Sequence, residues 1–302
     1  MLQAAKQNAE APWQKNLTDY NEGLGVVYER IVLNQYLLDL QNKYALDTVL
    51  EAPLYGMAGV SGINSVPLAQ AGCKVTLMDS IPERLEGVKR IWSELGLADR
   101  ALFVGSSDFS RLPFDDGTFD LVWAWAALWY VPDAKLLIKE MARVSRGLVF
   151  LAMPNRIQIG YILRKFVLEP NFFKSVDESW ANIPRVARML GAAGLSVIGQ
   201  GVMDVPPWPD TVMPAALVLR KLGIRSKGMT QRFEGAGWQW STMDYYLGKR
   251  PELKAAMERF MFLERLPLPW QLKTMWAHHR YVLARKADVP KPPGAKLYAQ
   301  AS

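Results

Sequence analysis

The chain has 302 residues, half of them apolar and 22% charged, with a net charge of +7. That is enough apolar material for one large core, or for a domain with a sizeable insertion, and it excludes a chain disordered along most of its length. Charges of both signs are mixed along the sequence, as on the solvated face of a globular enzyme, so the positive excess favours anionic partners without specifying a nucleic-acid surface. Cys73 stands alone, which rules out an intrachain disulfide or a multi-cysteine metal site and fits a reducing cytoplasm. The opening MLQAAKQNAEAPWQKN is polar and lacks the apolar stretch of an export signal. The longest strongly apolar run, Leu121 to Val131, is far short of the roughly 20 residues that span a bilayer as a helix.

Residues 1–46 read as a helical arm, with Val27, Ile31, Tyr36, Leu37 and Leu40 near helical spacing. From Asp47 the pattern changes to short apolar runs, each closed by a turn signal and followed by an amphipathic stretch, the alternation of a mostly parallel sheet. Strands are expected at Thr48 to Ala52, Lys74 to Asp79, Ala101 to Val104, Asp120 to Trp125, Leu148 to Met153 and Ser196 to Val205. Helices are expected near 62–71, 82–95, 133–144 and 178–193. A last strand at Trp276 to Arg285 comes long after the sixth. The excursion between them, 206–272, reads as a helical cap, because a structureless loop of that length is improbable. The run DVPPWPD marks its start, since clustered prolines continue neither helix nor sheet. The domain reading is an arm at 1–46, a core at 47–205, a cap at 206–272, a final core strand at 273–287, and a proline- and lysine-rich tail at 288–302 expected to be poorly ordered.

Thr48 to Asp79 reads strand, glycine-rich turn, helix, strand, acid. Gly56, Gly59 and Gly62 permit close approach of backbone to a ligand, and Asp79 stands where a carboxylate can accept from two ribose hydroxyls. A nucleoside-containing cofactor follows from this order. The spacing Gly56-x-x-Gly59-x-x-Gly62 departs from the G-x-G-x-x-G of dinucleotide sites, which argues against a pyrophosphate.

Ser106 to Asn155 contains Asp108, Leu112-Pro113-Phe114, Phe119-Asp120-Leu121-Val122, Val131-Pro132-Asp133 and Glu140 to Val144. In order and spacing these motifs resemble the central block of class I methyltransferases of the type 11 kind, and the resemblance covers about 47–205. It implies an α/β fold with a Rossmann-like, doubly wound seven-stranded sheet, mostly parallel with an antiparallel last strand. It also implies S-adenosylmethionine as cofactor, a small-molecule acceptor of apolar, aromatic or lipid-like character, and no metal. The cofactor residues it points to are Glu51, Gly56, Gly59, Asp79, Ser80, Asp108, Phe109 and Trp125, with Asp108 facing the adenine amine. The family's first motif usually reads E/D-x-G-x-G-x-G, whereas here Ala-Pro-Leu-Tyr separates Glu51 from Gly56, an elongated turn. Where relatives often carry paired histidines this chain has Trp129-Tyr130, which suggests an acceptor pocket built from Trp129, Tyr130, Tyr28 and Trp238. Tyr130 is then the candidate catalytic group. His278 and His279, adjacent on an expected strand, should point to opposite faces and are read as structural or surface residues.

Two rival readings remain open at this point. Tyr161-x-x-x-Lys165 matches the catalytic pair of short-chain dehydrogenases, which would use NAD(P). Alternatively Arg143, Arg146, Arg156, Arg164 and Lys165, with Arg220, Lys221, Arg225 and Lys227, could form a non-enzymatic basic face for lipid or single-stranded nucleic acid. Peripheral membrane contact is compatible with both this face and an amphipathic acceptor.

Overall fold

The protein is described by a computed structural model covering residues 12–54, 59–208 and 240–287. Seven strands form one sheet in the order β3-β2-β1-β4-β5-β7-β6. They are β1 (Thr48–Glu51), β2 (Lys74–Asp79), β3 (Ala101–Gly105), β4 (Phe119–Trp125), β5 (Ser145–Pro154), β6 (Leu195–Met203) and β7 (His279–Lys286). The first five pair in parallel, and β7 inserts antiparallel between β5 and β6. This is the expected α/β fold.

The helices are α1 (Pro12–Asn16), α2 (Leu24–Tyr44), α3 (Val66–Gln70), α4 (Pro82–Glu94), α5 (Ala134–Val144), α6 (Ile159–Leu163), α7 (Pro170–Phe173) and α8 (Ile183–Ala192). Before β7 come α9 (Thr242–Tyr246), α10 (Glu252–Glu258), α11 (Phe262–Arg265) and α12 (Trp270–Lys273).

Alternation along the central strands distributes their side chains between two cores. Leu121, Trp123 and Trp125 of β4 and Leu148, Phe150 and Ala152 of β5 join α2 on one face. Val122, Ala124, Val149, Leu151 and Met153 join α5 and α8 on the other. Burial on both faces is why these runs are nearly unbroken in apolar residues.

Helix α2 departs from the single apolar stripe that its spacing suggests. Arg30, Ile31, Val32, Leu33 and Asn34 are buried in succession. A helix buried on most of its circumference has neighbours on more than one side. The sheet covers one side, and the segment after residue 240 covers another, through Asn34 Nδ2 to Tyr246 Oη at 2.9 Å and Gln35 Nε2 to Glu258 Oε1 at 3.2 Å.

The recognisable motifs of the central block are structural clamps. Glu140 Oε2 accepts from the Leu112 N–H, while Arg143 donates to the Leu112 and Phe114 carbonyls and to Glu140 itself. Asp120 accepts from the Asp47 and Thr48 amides and from Arg146, tying the starts of β1, β4 and β5 together. Gly147 sits where a Cβ would lie 2.5 Å from the Asp120 carbonyl oxygen, at a register shift between β4 and β5. Backbone cannot yield there cheaply, so Gly147→Ala is expected to cost about 1–3 kcal/mol in urea unfolding, the usual range for an overpacked interior.

Candidate functional site

At the end of β1 the Glu51 carboxylate is buried, accepting from Ser65 Oγ at 2.5 Å and Asn64 Nδ2 at 3.3 Å. Burial pushes its pKa up to about 7, against the opposing pull of Ser65 and Asn64. Asn64 accepts in turn from Arg30 of α2, whose Nη2 donates to the Val60 carbonyl and to Glu22 Oε1, both at 2.8 Å. Glu22 Oε1 also takes the Val60 N–H at 2.8 Å, and its Oε2 takes the Thr242 N–H at 3.0 Å. The second half of the glycine-rich turn thus holds a carboxylate, seated on a backbone amide and a guanidinium. Gly59, at φ +80°, makes the close approach possible: a Cβ there would meet Glu22 Oε1 at 2.5 Å and Val26 Cγ1 at 2.6 Å. Gly56 lies outside the described residues.

Asp79 ends β2 as expected, but its carboxylate is enclosed. Arg84 of α4 binds it in bidentate fashion, Nε to Oδ2 at 2.7 Å and Nη2 to Oδ1 at 2.8 Å, and the Ile81 N–H adds a third donor. A carboxylate offers about four acceptor positions, so one remains. Trp13 of α1 lies over the Arg84 guanidinium at 5.7 Å, and Leu17 packs on Gly87, so the arm lies across this corner. Ser80 is exposed beside it. The Ser106 N–H donates to the Asp79 carbonyl and the Ser106 hydroxyl approaches the Asp108 backbone, which sets Asp79 and Asp108 on one rim. Asp108 is exposed, and its Ser110 partners hold its carboxyl below the usual range. Phe109 turns into the core on the α5 face.

The expected acceptor residues do not form one constellation. Trp129 is buried with Tyr130 and Phe172 in the cluster on the α5 face. Tyr28 belongs to the opposite cluster, edge-on to Trp208 at 5.4 Å. Trp238 lies outside the described residues.

What gathers on the α2 side is a polar group that spacing alone did not reveal. Asp204 follows β6 directly, in the left-handed region at φ +64°, and its Oδ2 lies 3.2 Å from Nδ1 of both His278 and His279. The expectation that the two histidines point to opposite faces is corrected here. Only His279 belongs to β7, so strand alternation does not govern His278, and both rings are buried against one carboxylate. His278 Nε2 also lies 3.1 Å from the Trp208 carbonyl. The His278 ring thus lies between the Asp204 carboxylate and the Trp208 carbonyl. Burial alone would raise Asp204, yet His278 and His279 hold it below the ordinary range.

Trp125, at the end of β4, links this group to α2. Its Nε1 donates to Glu29 Oε1 at 2.6 Å and its ring lies 4.4 Å from that of His279. Burial raises the Glu29 carboxyl, helped by Asp204 and opposed by His279. Ligand atoms of Glu29, Asp204 and His279 all lie within 4.8 Å of one another, a spacing a divalent cation could bridge. Nearby, burial pushes Glu264 up to about 7. Glu264 lines a shallow cleft between α2, the end of β6 and α11, together with Tyr36, Met203 and Tyr281. None of the residues expected from sequence lines this cleft.

Most described residues of the rival readings are engaged within the fold, while Arg156 is exposed. Tyr161 Oη and Lys165 Nζ both donate to Glu178 Oε2, at 2.8 and 2.9 Å, so the dehydrogenase-like pair is a structural clasp. Arg143, Arg146 and Arg164 are paired with Glu140, Asp120 and Glu169 rather than presented to a ligand. Arg220, Lys221, Arg225 and Lys227 lie outside the described residues.

Residues 57–151 match the family model of a methyltransferase domain. The matched stretch takes in β2, β3 and β4 and most of β5. Among its relatives are the sterol 4-C-methyltransferase of Caenorhabditis elegans, 31% identical over 88 residues that cover 29% of this chain and 26% of that one. The 2-methyl-6-phytyl-1,4-hydroquinone methyltransferase of Synechocystis is 30% identical over 166 residues, 51% of each chain. The chain spans about half or less of the length of the relatives it matches. A solved structure of magnesium protoporphyrin IX methyltransferase from Synechocystis superposes with a TM-score of 0.49 at 13% identity, covering 95% of this chain and 92% of that one.

Two outcomes follow from the acids around the turn. Glu22→Gln weakens the internal carboxylate's hold on Val60 and Arg30, and calorimetric titration should show S-adenosylmethionine binding about tenfold tighter; unchanged affinity would remove Glu22 from the site. Glu51 binds its proton more tightly folded than unfolded, so its contribution is complete below about pH 4.5 and is lost as pH rises through about 7. Between pH 5 and 8 the wild type should therefore lose up to about 3 kcal/mol of unfolding free energy that Glu51→Gln keeps.

Proposed function

We propose that the chain is an S-adenosylmethionine-dependent methyltransferase acting on a small apolar acceptor whose methylated atom must first lose a proton. The observation that carries the acid–base part is the Asp204–His279–Glu29 group beside Trp125 at the carboxyl edge of the sheet. The methyltransferase-domain match supports the cofactor, and the names of the sterol and hydroquinone relatives support an apolar acceptor.

The residues present fit the cofactor. The Val60 N–H and Arg30 guanidinium already cradle a carboxylate, that of Glu22, and are the groups to hold the cofactor's amino-acid end. Asp79 keeps one acceptor position for a ribose hydroxyl, with Ser80 and Asp108 on the same rim. Cofactor entry requires the arm to release this corner, because Asp79 and Arg84 are sealed beneath it. When bound, S-adenosylmethionine supplies a strongly electrophilic methyl group, so the protein's task is orientation and proton removal.

Asp204 accepts from His279 Nδ1–H and thereby presents Nε2 as the basic nitrogen, while the two histidines hold Asp204 below the ordinary carboxyl range. Glu29 lies on the side of His279 that Trp125 covers, where its ionised form favours the imidazolium formed on proton uptake. Proton transfer is preferred over metal binding here, because Asp204 Oδ2 is shared by two imidazole nitrogens at 3.2 Å, contacts a metal would have to replace.

Transfer of labelled methyl groups into fractionated apolar metabolites tests this. His279→Ala and Asp204→Asn are expected to lower kcat by about 10²–10⁴ with cofactor affinity retained. Asp79→Ala, in contrast, should weaken cofactor binding while the protein stays folded. A full rate in His279→Ala would move proton removal elsewhere, and a wild type that binds no S-adenosylmethionine would end the methyltransferase reading.

A further inference from the structure

Among the described residues, ten of the thirteen large apolar side chains that stand exposed fall in just two segments, 157–167 and 262–275. In the first, Ile159, Ile162 and Phe166 recur at helical spacing along α6 and the π-helical turn that continues it, with Phe166 71% exposed. The opposite side of the same stretch, Tyr161, Arg164 and Leu168, is buried. This segment therefore turns apolar residues outward, whereas a surface helix normally turns polar residues outward.

The two segments are neighbours. Both leave the carboxyl edge of the sheet at the paired positions Pro154 and His279. Asn155 bolts them together, its N–H donating to the His278 carbonyl at 2.8 Å and its Nδ2 to the carbonyls of Thr274 at 2.6 Å and Ala277 at 2.8 Å. Across 156–174 and 262–275 the exposed charged residues are Arg156, Lys174 and Arg265, with no exposed carboxylate among them.

We propose that this rim seats the protein on the surface of a bilayer containing anionic lipid. Exposed apolar side chains flanked by cations of one sign suit the boundary between headgroups and acyl chains. A second copy docking through the same face would instead bring those cations against their own counterparts. No helix among the described residues is long and apolar enough to cross a membrane, so the contact is peripheral. The rim adjoins Asp204 and His278 through Asn155, so an acceptor dissolved in the bilayer would enter beside the proposed acid–base group. That last point rests on the methyltransferase reading; the docking itself does not.

Co-sedimentation of the full chain with phosphatidylcholine vesicles, with and without phosphatidylglycerol, tests the proposal. The wild type should pellet with the phosphatidylglycerol vesicles and be released by salt. The double variant Ile162→Glu/Phe166→Glu and the single variant Leu272→Glu should each lower the bound fraction by about tenfold. Leu102→Glu is the control, an equally exposed apolar residue away from the rim, and should bind as the wild type does. All four positions are on the surface, and circular dichroism confirms folding. A wild type that stays in the supernatant overturns the proposal, as does an equal loss in Leu102→Glu. So does a result in which the rim variants abolish dimerisation but leave vesicle binding intact. S-adenosylmethionine binding, measured on the same samples without lipid, shows separately whether the enzyme reading holds.

Discussion

Strand β7 enters the sheet antiparallel between β5 and β6, and its register places Met203 opposite His279 and Pro154 opposite His279 on the other side. That one pairing brings Asp204, His278 and Asn155 together from three distant stretches of chain. It also returns the segment after residue 240 to the sheet beside α2, which closes the second side of that helix. If the register slipped by a single residue, every β7 side chain would change face. The Asp204–His279 contact would then be lost together with the packing of Val282 and Ala284 on one core and Leu283 on the other.

Helix α2 bears the electrostatic consequence of being enclosed. Arg30 is a buried cation, and in low-dielectric surroundings such a charge is tolerable only if its donors are matched. Glu22, Asn64 and the Val60 carbonyl meet it. The same logic applies to Asp79 and Arg84, whose charges are both out of water. Removing one member of such a pair strands the other, typically at about 3–5 kcal/mol. These two ion pairs flank the glycine-rich turn and make its surroundings stiff.

Much of the fold is legible in the sequence because its signals are local. The β4 and β5 runs advertise burial on both faces, and the Leu-Pro-Phe and Glu-x-x-Arg motifs are two halves of one clamp, recognisable because their spacing is fixed by the hydrogen bonds between Leu112, Glu140 and Arg143. Strand-end acids are legible for the same reason. The acid–base group is not, since Asp204 and His279 are 75 residues apart and meet only through strand register. His278 misleads a period-two argument because the ladder starts one residue later. The enclosure of α2 depends on a cap remote in sequence, and nothing in residues 24–44 alone marks it. The spacing of Asp79 and Arg84 is visible in the chain, but not that the guanidinium folds back to fill both carboxylate oxygens.

Glu22 uses its two oxygens on different partners, the Val60 amide of the turn and the Thr242 amide at the start of α9. A ligand carboxylate that displaces the first contact also loosens the second, so occupancy of the turn and the anchorage of α9 are thermodynamically linked. By reciprocity, whatever holds α9 in place also holds Glu22 on the turn.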